Sequence, residues 1–283
     1  MLNDLEMLNK HYTNKNIQFR IVSHLYNRET MMMTTSRTDD KYKKATKRYI
    51  RIHNVSHFEF WMKRAEVLTT DKCYNLYYSL AKYKHGIPYT DPKKFTSESN
   101  DDWRANHFKE MNDYDFAIDI DASDKYEEME LAYFSFKEMV KEFDSLNVPY
   151  YPRFSGMGFH IVIPYKYFQH LGLSFEIGEG HNSIYSYYRQ LSEKLSREFT
   201  EQIDKKIYDS RRVLKIPFTL ALYKDNIQLC KPFYSRDEIE TFKYNPDNYT
   251  VDYSKIPFNN EPLFNSVNGD VRELINKYMG VKQ

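Results

Sequence analysis

Asp119 and Asp121 stand two positions apart at the end of the apolar stretch FAIDID. On a β-strand, side chains at positions i and i+2 point to the same side, so both carboxylates would share one face. Like charges this close are costly unless a cation neutralises them, and hard oxygen ligands suit Mg²⁺ or Mn²⁺. The pair therefore predicts a divalent-cation site, with a strand-end pair that faces solvent as the alternative.

A second candidate segment is the glycine-containing turn SGMGFH at residues 155–160. Gly156 and Gly158 let the backbone turn sharply and approach a ligand closely. The Ser155 hydroxyl, free backbone N–H groups and the His160 imidazole could then bind phosphate oxygens. The alternative is a plain hairpin turn beside a histidine of the core.

A third carboxylate could come from Asp204, which follows the apolar Ile203. Arg212 and Lys215, further along the chain, could bind a triphosphate or the backbone of a template. Asp209 is a second candidate for the third carboxylate. The alternative is a loop in which an aspartate caps a helix and the basic residues are solvated.

The hydrophobic pattern of the second half of the chain predicts alternating strands and helices. In chain order we expect a strand over 114–121, a helix over 127–146, strands over 149–154 and 159–164, a helix over 184–199 and a strand over 213–222. This β-α-β-β-α-β order is the split βαβ arrangement of ferredoxin-like and RNA-recognition folds. The predicted fold class is therefore α+β.

Taken in order, the three segments resemble the motifs of the archaeo-eukaryotic primase superfamily, over about residues 70–235. The family's motifs are an apolar strand ending in Asp-x-Asp, a Ser and a His around a glycine turn, and an Asp with a downstream basic residue. They are matched in turn by Asp119 and Asp121, by Ser155 and His160, and by Asp204 and Lys215. The family-like distance to Lys215 favours Asp204 over Asp209 as the third carboxylate.

The resemblance implies a template-dependent nucleotidyltransferase, a primase-polymerase that makes or extends a DNA or RNA strand from nucleoside triphosphates. It implies two divalent ions, Mg²⁺ or Mn²⁺, held by Asp119, Asp121 and Asp204 between the triphosphate and the attacking 3′-hydroxyl. The expected partners are a single-stranded or primed DNA template and nucleoside triphosphates. The residues expected to hold the nucleotide are Arg153, Ser155, Gly156, Gly158, His160, Arg212 and Lys215.

Two departures from the family pattern favour a compact primase-polymerase over a replicative primase subunit. Cys73 and Cys230 belong to no Cys/His cluster, so the chain lacks the zinc motif that replicative subunits commonly carry, and we expect no zinc. Residues 217–221 read PFTLA, where those subunits tend to have a His after a Pro-x-Ser segment. The pathway stays open between replication of a mobile element, repair and a role beside a CRISPR system.

The chain of 283 residues is 41% apolar and 29% charged, which allows a sizeable core. The expected organisation is the archaeo-eukaryotic primase fold, with an N-terminal α/β subdomain packed on an RRM-like split βαβ catalytic subdomain. The expected boundaries are 1–110 for the first subdomain, 111–235 for the second and 236–283 for a peripheral C-terminal segment.

Residues 101–152 hold 14 acidic against 5 basic side chains, and 153–236 hold 13 basic against 8 acidic. Such a division suits metal binding beside polyanion binding, with solvated helix faces as the alternative.

The N-terminal part contains a basic run over residues 41–51, with six Lys or Arg and no acid. If this run is helical, Lys41, Lys44, Arg48 and Arg51 share one face. We expect Lys44, Arg48 and Arg51 to contact the nucleic-acid backbone, with a solvated basic face as the alternative. Beyond this run we expect a helix from Ser56 to about residue 68, a strand over 73–83 and a long loop over 85–113.

Two other function classes stay open from the residues alone. A metal-dependent nuclease would use the same carboxylates. A non-catalytic RRM-like nucleic-acid-binding module usually presents aromatic rings on its sheet face, whereas here Asp119 and Asp121 would repel phosphate without a metal. No apolar window approaches the roughly 18 residues of a membrane span, so we expect no membrane partner and a cytoplasmic location.

Overall fold

The structure is a computed structural model that combines helices and strands, which confirms the α+β class. It describes residues 4–38, 41–68, 73–85, 110–122, 126–176, 182–209, 212–223, 226–245 and 261–280. The chain divides into two compact units, the first formed by Met1–Asp113 with Val213–Asp225 and the second by Tyr114–Arg212 with Asn226–Gln283. Among the described residues, no helix is both long enough and apolar enough to cross a membrane.

The helices and strands are numbered here in chain order. They are α1 Asp4–Thr13, α2 Lys15–His24, β1 Arg28–Thr38, β2 Lys41–Ile50, α3 Val55–Leu68, β3 Cys73–Tyr83, β4 Met111–Tyr114, β5 Phe116–Asp121, α4 Tyr126–Ser145, β6 Tyr151–Phe154, β7 Gly158–Ile163, α5 Ile184–Glu198, β8 Val213–Lys215, β9 Leu220–Tyr223, β10 Asn226–Leu229, β11 Lys231–Pro232, α6 Arg236–Glu240 and α7 Arg272–Met279.

The first unit is built on a sheet with the strand order β2-β1-β3-β4, to which β8 adds by pairing with β3. The strand predicted over 73–83 is confirmed as β3. The helix predicted to end near residue 68 is also confirmed as α3. Asn54, rather than Ser56, caps this helix, because its side-chain oxygen accepts the His57 N–H over 2.9 Å.

The basic run of residues 41–51 is a strand and not a helix. Its residues 41–50 form β2, which pairs antiparallel with β1. The predicted helical face of Lys41, Lys44, Arg48 and Arg51 is therefore wrong, because a strand repeats every two residues. The side chains of Lys44 and Arg48 lie outside the described residues, as does most of the predicted loop, from residue 86 to 109. Arg51 is exposed, and its guanidinium donates to the His85 carbonyl over 2.5 Å.

The second unit contains a four-stranded sheet with the order β11-β6-β7-β5. Helices α4 and α5 cover one face of it: Phe136 on α4 stacks on Phe159 of β7 at 4.7 Å, and Tyr188 on α5 packs edge-on against Phe116 of β5 at 5.0 Å. The periodicity of buried apolar residues along both helices makes them amphipathic. The two helices and the β6–β7 hairpin are thus confirmed close to their predicted bounds.

The last strand of the predicted split βαβ unit, over 213–222, is wrong. The chain is interrupted there by Pro217 and by Phe218, which takes a φ of +67°. The strand β8 before this interruption pairs with β3 in the first unit, with Lys215 opposite Tyr77. Beside β5, an isolated antiparallel bridge joins Ile120 to Ile203.

Two further boundaries differ from expectation. The strand predicted over 114–121 is divided at Asp115, whose carboxylate accepts the Tyr165 N–H over 3.0 Å. The segment 236–283 belongs to the second unit, where α7 packs on α5 and Phe264 bridges to Tyr150. The short helix predicted near residues 271–278 is confirmed as α7.

Candidate active site

A row of polar side chains crosses the sheet of the second unit. Asp119 on β5 lies opposite His160 on β7, and His160 lies opposite Arg153 on β6. Directly opposed residues point to the same side of a sheet. Because Phe159 packs against α4, its neighbour His160 points away from the helices, and Asp119 and Arg153 follow it. The sheet therefore presents its apolar side chains to the helices and this polar row to the other face.

Asp204 is brought beside Asp119 by backbone hydrogen bonds along the edge of β5. The Asp121 N–H donates to the Gln202 carbonyl over 3.0 Å, and the Asp204 N–H donates to the Asp119 carbonyl over 2.9 Å. With the Ile120–Ile203 bridge, these bonds hold the segment before Asp204 against the strand. A residue 83 positions after Asp121 in the chain thereby joins the predicted carboxylate pair.

The guanidinium of Arg212 engages two of the three carboxylates. Its Nη2 lies 2.7 Å from Asp204 Oδ2 and 3.7 Å from Asp119 Oδ2. The other Asp204 oxygen accepts the Lys206 N–H over 2.9 Å. Arg212 was expected to bind phosphate or template, and the structure adds that it is the cation of the carboxylate cluster.

The charges in this cluster are crowded. Partial burial and the carboxylates of Asp119 and Asp204 raise the pKa of Asp121 to about 7, and the Arg212 guanidinium opposes that rise. A group whose charged form is disfavoured by like charges gains most from an added cation.

The donor set of Asp119, Asp121 and Asp204 fits a hard divalent cation, because all three provide carboxylate oxygens. Within the described residues, no group of three His, Cys, Asp or Glu side chains is arranged around a metal position as it stands. Two of these carboxylates are held by Arg212. Arg212 would therefore compete with a cation for these two carboxylates.

The glycine turn ties the end of β5 to the β6–β7 hairpin. Gly156 takes a φ of +96°, a conformation that a side chain disfavours. A Cβ added at Gly158 would lie 2.0 Å from the Ile120 carbonyl oxygen, so only glycine allows β7 to approach β5 this closely. The Ala122 N–H donates to the Met157 carbonyl over 3.0 Å, and the Ser155 hydroxyl accepts the Met157 N–H over 3.3 Å.

His160 faces the carboxylates with one ring nitrogen. Its Nε2 lies 3.2 Å from Asp119 Oδ1, and the side chain is almost fully buried. Its Nδ1 is also buried and has no hydrogen-bond partner among the described residues. A buried polar atom without a partner costs stability, so a ligand atom that completed this hydrogen bond would gain from doing so.

Arg153 reaches a partner that the sequence did not indicate. Its Nε lies 3.2 Å from Glu261 Oε1, and both side chains are buried. Burial raises the pKa of Glu261 to about 7, and the Arg153 guanidinium opposes that rise. Glu261 is a single acid in a segment with no motif, and its position beside β6 depends on a pairing over more than a hundred residues, so no sequence pattern could have found it.

Two further predicted residues, Lys215 and Asp209, make contacts of other kinds. Lys215 belongs to the first unit, where it is buried, donates to Asn75 Oδ1 over 3.1 Å and lies 5.4 Å from the centre of the Tyr77 ring. Asp209 is exposed, and its carbonyl accepts the Tyr114 hydroxyl over 2.7 Å. The carboxylates that act on Asp121 are those of Asp119 and Asp204.

No protein-family model matches the chain, and no curated protein matches it. Among the solved structures that resemble it at a distance are a polymerase domain and a primase catalytic domain. The polymerase domain of Mycobacterium tuberculosis ligase D, in complex with DNA, is 9% identical with a TM-score of 0.49, covering 83% of this chain and 82% of that one. The catalytic domain of primase Repb′, in complex with initiator DNA, is 10% identical with a TM-score of 0.32, covering 73% and 76%. At this distance, the functional conclusion depends on the site itself.

Proposed function

We propose that this chain is a template-dependent nucleotidyltransferase of the primase-polymerase type. It transfers a nucleotide from a nucleoside triphosphate to the 3′-hydroxyl of a strand paired with a DNA template. The observation that carries the proposal is the convergence of Asp204 on Asp119 and Asp121, where burial and the two neighbouring carboxylates raise the pKa of Asp121 to about 7. Three crowded carboxylates repel one another, and bound cations would relieve that repulsion.

Asp119, Asp121 and Asp204 are the proposed ligands of two divalent cations, Mg²⁺ or Mn²⁺. When bound, such ions lower the pKa of the attacking hydroxyl and neutralise charge on the attacking and leaving oxygens. The chain itself contributes the rigid placement of the ligands, because two stand on β5 and the third is bonded to the backbone of β5. The reaction needs no covalent nucleophile from the protein, since phosphoryl transfer is mostly positioning and electrostatics.

Arg212 and His160 are the proposed triphosphate contacts of the cluster. Arg212, once released from Asp204 and Asp119, carries a planar guanidinium that binds phosphate oxygens in pairs. His160 keeps Nε2 toward Asp119 and offers its unpartnered Nδ1. Ser155 and the glycines of the turn lie at the start of the same strand and bring the backbone close to the bound phosphates.

Arg153 and Lys215 have different proposed roles. Arg153 is buried against Glu261, so we assign it to holding the β6–β7 hairpin and with it His160, rather than to direct contact with phosphate. Lys215 remains a proposed contact for the triphosphate or the template backbone. The expected partners are unchanged: nucleoside triphosphates and a single-stranded or primed DNA.

The test is incubation of the protein with a labelled primer on a single-stranded template, with Mg²⁺ or Mn²⁺ and either deoxy- or ribonucleotides. Lengthening of the primer that requires template and is stopped by a chelator supports the proposal. Shortening of the primer in the absence of nucleotides would instead identify a nuclease that uses the same carboxylates. A primer left unchanged in every mixture would contradict both.

A further inference from the structure

Helices α2 and α3 of the first unit expose large aromatic side chains. Phe19 on α2, Tyr26 just after it and Phe60 on α3 are 64%, 70% and 56% exposed. Single exposed apolar residues are ordinary on protein surfaces, but a group of them marks an interaction site. Whether these rings form a group depends on how the two helices present them.

Each helix buries one face and presents its aromatic ring on the other. On α2 the buried residues include Ile17 and Ile21, so Phe19 points outward. On α3 the buried residues are Phe58 and Met62, so Phe60 points outward in the same way. Both rings therefore lie on the side of their helix that faces away from the core of the unit.

A polar junction holds the two helices side by side. Lys15 Nζ lies 2.5 Å from Glu59 Oε1, and the Gln18 side-chain amide donates to the same oxygen over 3.2 Å. Phe19 lies one turn after Lys15 on α2, and Lys63 lies one turn after both Glu59 and Phe60 on α3, so each ring lies beside this junction. The two outward rings thus belong to one surface, which we call the α2–α3 surface and define by Lys15, Phe19, Tyr26, Phe60 and Lys63.

The α2–α3 surface is basic. Lys15 and Lys63 are exposed, and so is Lys10 on the preceding helix. Residues 8–28 contain no Asp or Glu, and among residues 55–63, the part of α3 whose side chains are described, the one acid is Glu59, which is already paired with Lys15. The surface therefore carries more lysines than acids, two against one, beside exposed aromatic rings.

The second unit offers a comparison of opposite charge. Leu131 and Phe134 on α4 are 54% and 59% exposed and lie three residues apart on one helix face. Glu127, Glu130 and Glu138 flank them. The nearby Lys137 and Lys141 are each paired with a glutamate, Glu240 and Glu138, so this apolar pair lies on a predominantly acidic helix face.

We propose that the α2–α3 surface binds single-stranded nucleic acid, with Phe19 and Phe60 stacking on bases and Lys15 and Lys63 contacting phosphates. Single strands are bound by this combination elsewhere in proteins, because every base has a π-face and every nucleotide has a charge. The inference stands apart from the proposed catalysis, since binding here needs neither a metal ion nor a nucleoside triphosphate. It also places a contact for the strand outside the carboxylate cluster.

The test is the affinity for a fluorescent oligothymidylate, measured by anisotropy in EDTA. The double variant Phe19→Ala/Phe60→Ala should bind at least about tenfold more weakly, since loss of one stacked ring costs about 1–3 kcal/mol, or roughly fivefold or more. The matched control Leu131→Ala/Phe134→Ala should bind as the wild type does. If the alanine variant is unfolded by circular dichroism, Phe19→Trp/Phe60→Trp replaces it and should keep or raise the affinity.

Stacking and charge can be separated with a second ligand and a second variant. An oligomer of the same length without bases should bind the wild type and the Phe19→Ala/Phe60→Ala variant equally. Lys63→Gln should lower the slope of log affinity against log salt by about 0.7 for the oligothymidylate.

Three results would overturn the inference. They are wild-type affinity in the aromatic double variant, an equal loss of affinity for the oligomer without bases, and no binding by the wild type. If the aromatic double variant keeps its oligonucleotide binding but no longer self-associates in sedimentation, the surface is a protein contact instead. Intact binding in a protein that fails to extend a primer would refute the proposed catalysis alone.

Discussion

The Asp204 carboxylate accepts a hydrogen bond from the Arg212 guanidinium over 2.7 Å. The same guanidinium lies near Asp119, and it lowers the pKa of Asp121 against the pull of the neighbouring carboxylates. Arg212 therefore neutralises part of the negative charge to which cations are proposed to bind. Its removal should affect metal binding and nucleotide binding in opposite directions.

Arg212→Gln should bind Mn²⁺ about tenfold more tightly than the wild type in the absence of nucleotide. A competing charge-assisted hydrogen bond of about 1.5–3 kcal/mol is lost, and each 1.4 kcal/mol corresponds to about tenfold. The same variant should bind a nucleoside triphosphate more weakly. Paramagnetic resonance of free Mn²⁺ measures the first effect, and Lys205→Gln, an exposed lysine of the same loop, is the control. Weaker or unchanged Mn²⁺ binding would show that Arg212 does not compete with the cation.

His160→Gln should raise the KM for the nucleotide by about ten- to a hundredfold. The reason is the loss of a contact to a charged phosphate, worth about 1.5–3 kcal/mol. His170→Gln is the matched control, because His170 is exposed on a short turn of the same unit. Steady-state kinetics at saturating template give kcat and KM for the nucleotide. Unchanged kinetics in a folded His160 variant would make this residue a histidine of the core and no more.

The stability of the first unit should depend on the protonation of His11. Burial lowers the pKa of this histidine to about 4, although its Nε2 is hydrogen-bonded to the Phe218 carbonyl over 2.7 Å. The unfolded chain takes up the proton near pH 6.5. The contribution of the neutral ring to the free energy of unfolding is therefore fully present above about pH 6.5. It is lost as the pH falls toward 4, and this loss is at most about 3 kcal/mol.

Urea unfolding of the wild type and of His11→Gln measures this dependence. The glutamine keeps a donor for the Phe218 carbonyl but does not titrate, so other titrating groups cancel in the difference. The difference in free energy of unfolding should shift by about 3 kcal/mol between pH 7 and pH 4, to the disadvantage of the wild type at low pH. A difference that does not change with pH would contradict the assigned pKa.

Local patterns predicted most of the second unit. The helices α4 and α5 follow from the spacing of apolar residues, and the β6–β7 hairpin follows from the glycines between two apolar runs. The single strand expected over 213–222 is not formed, although the run is apolar enough. Pro217 and Phe218 interrupt it, and the part before them, β8, pairs with β3. Such a pairing joins residues far apart in the chain, so a local pattern does not predict it.

The candidate site was predictable in its residue types and only in part in its contacts. Asp119 and Asp121 share a face because strand alternation is a local rule, whereas His160 joins them through the register of β5 and β7. The pairing of Arg212 with Asp204 and of Arg153 with Glu261 depends on loop paths that no residue pattern encodes. The basic run of residues 41–51 was misassigned because charged residues carry no apolar period to separate a strand from a helix.

Primer extension by Asp121→Asn, Asp204→Asn and Asp209→Asn, each beside the wild type, tests the central claim most directly. The first two substitutions remove a carboxylate of the cluster, and the third changes an exposed aspartate of similar chain position. With Mn²⁺, a template and all nucleotides, we expect the Asp121 and Asp204 variants to lose at least about a hundredfold in rate, because several kcal/mol of charge stabilisation is removed. We expect Asp209→Asn to retain most of the activity. Extension at the wild-type rate by Asp121→Asn, or activity lost in Asp209→Asn and kept in Asp204→Asn, would contradict the assignment of this cluster as the catalytic centre.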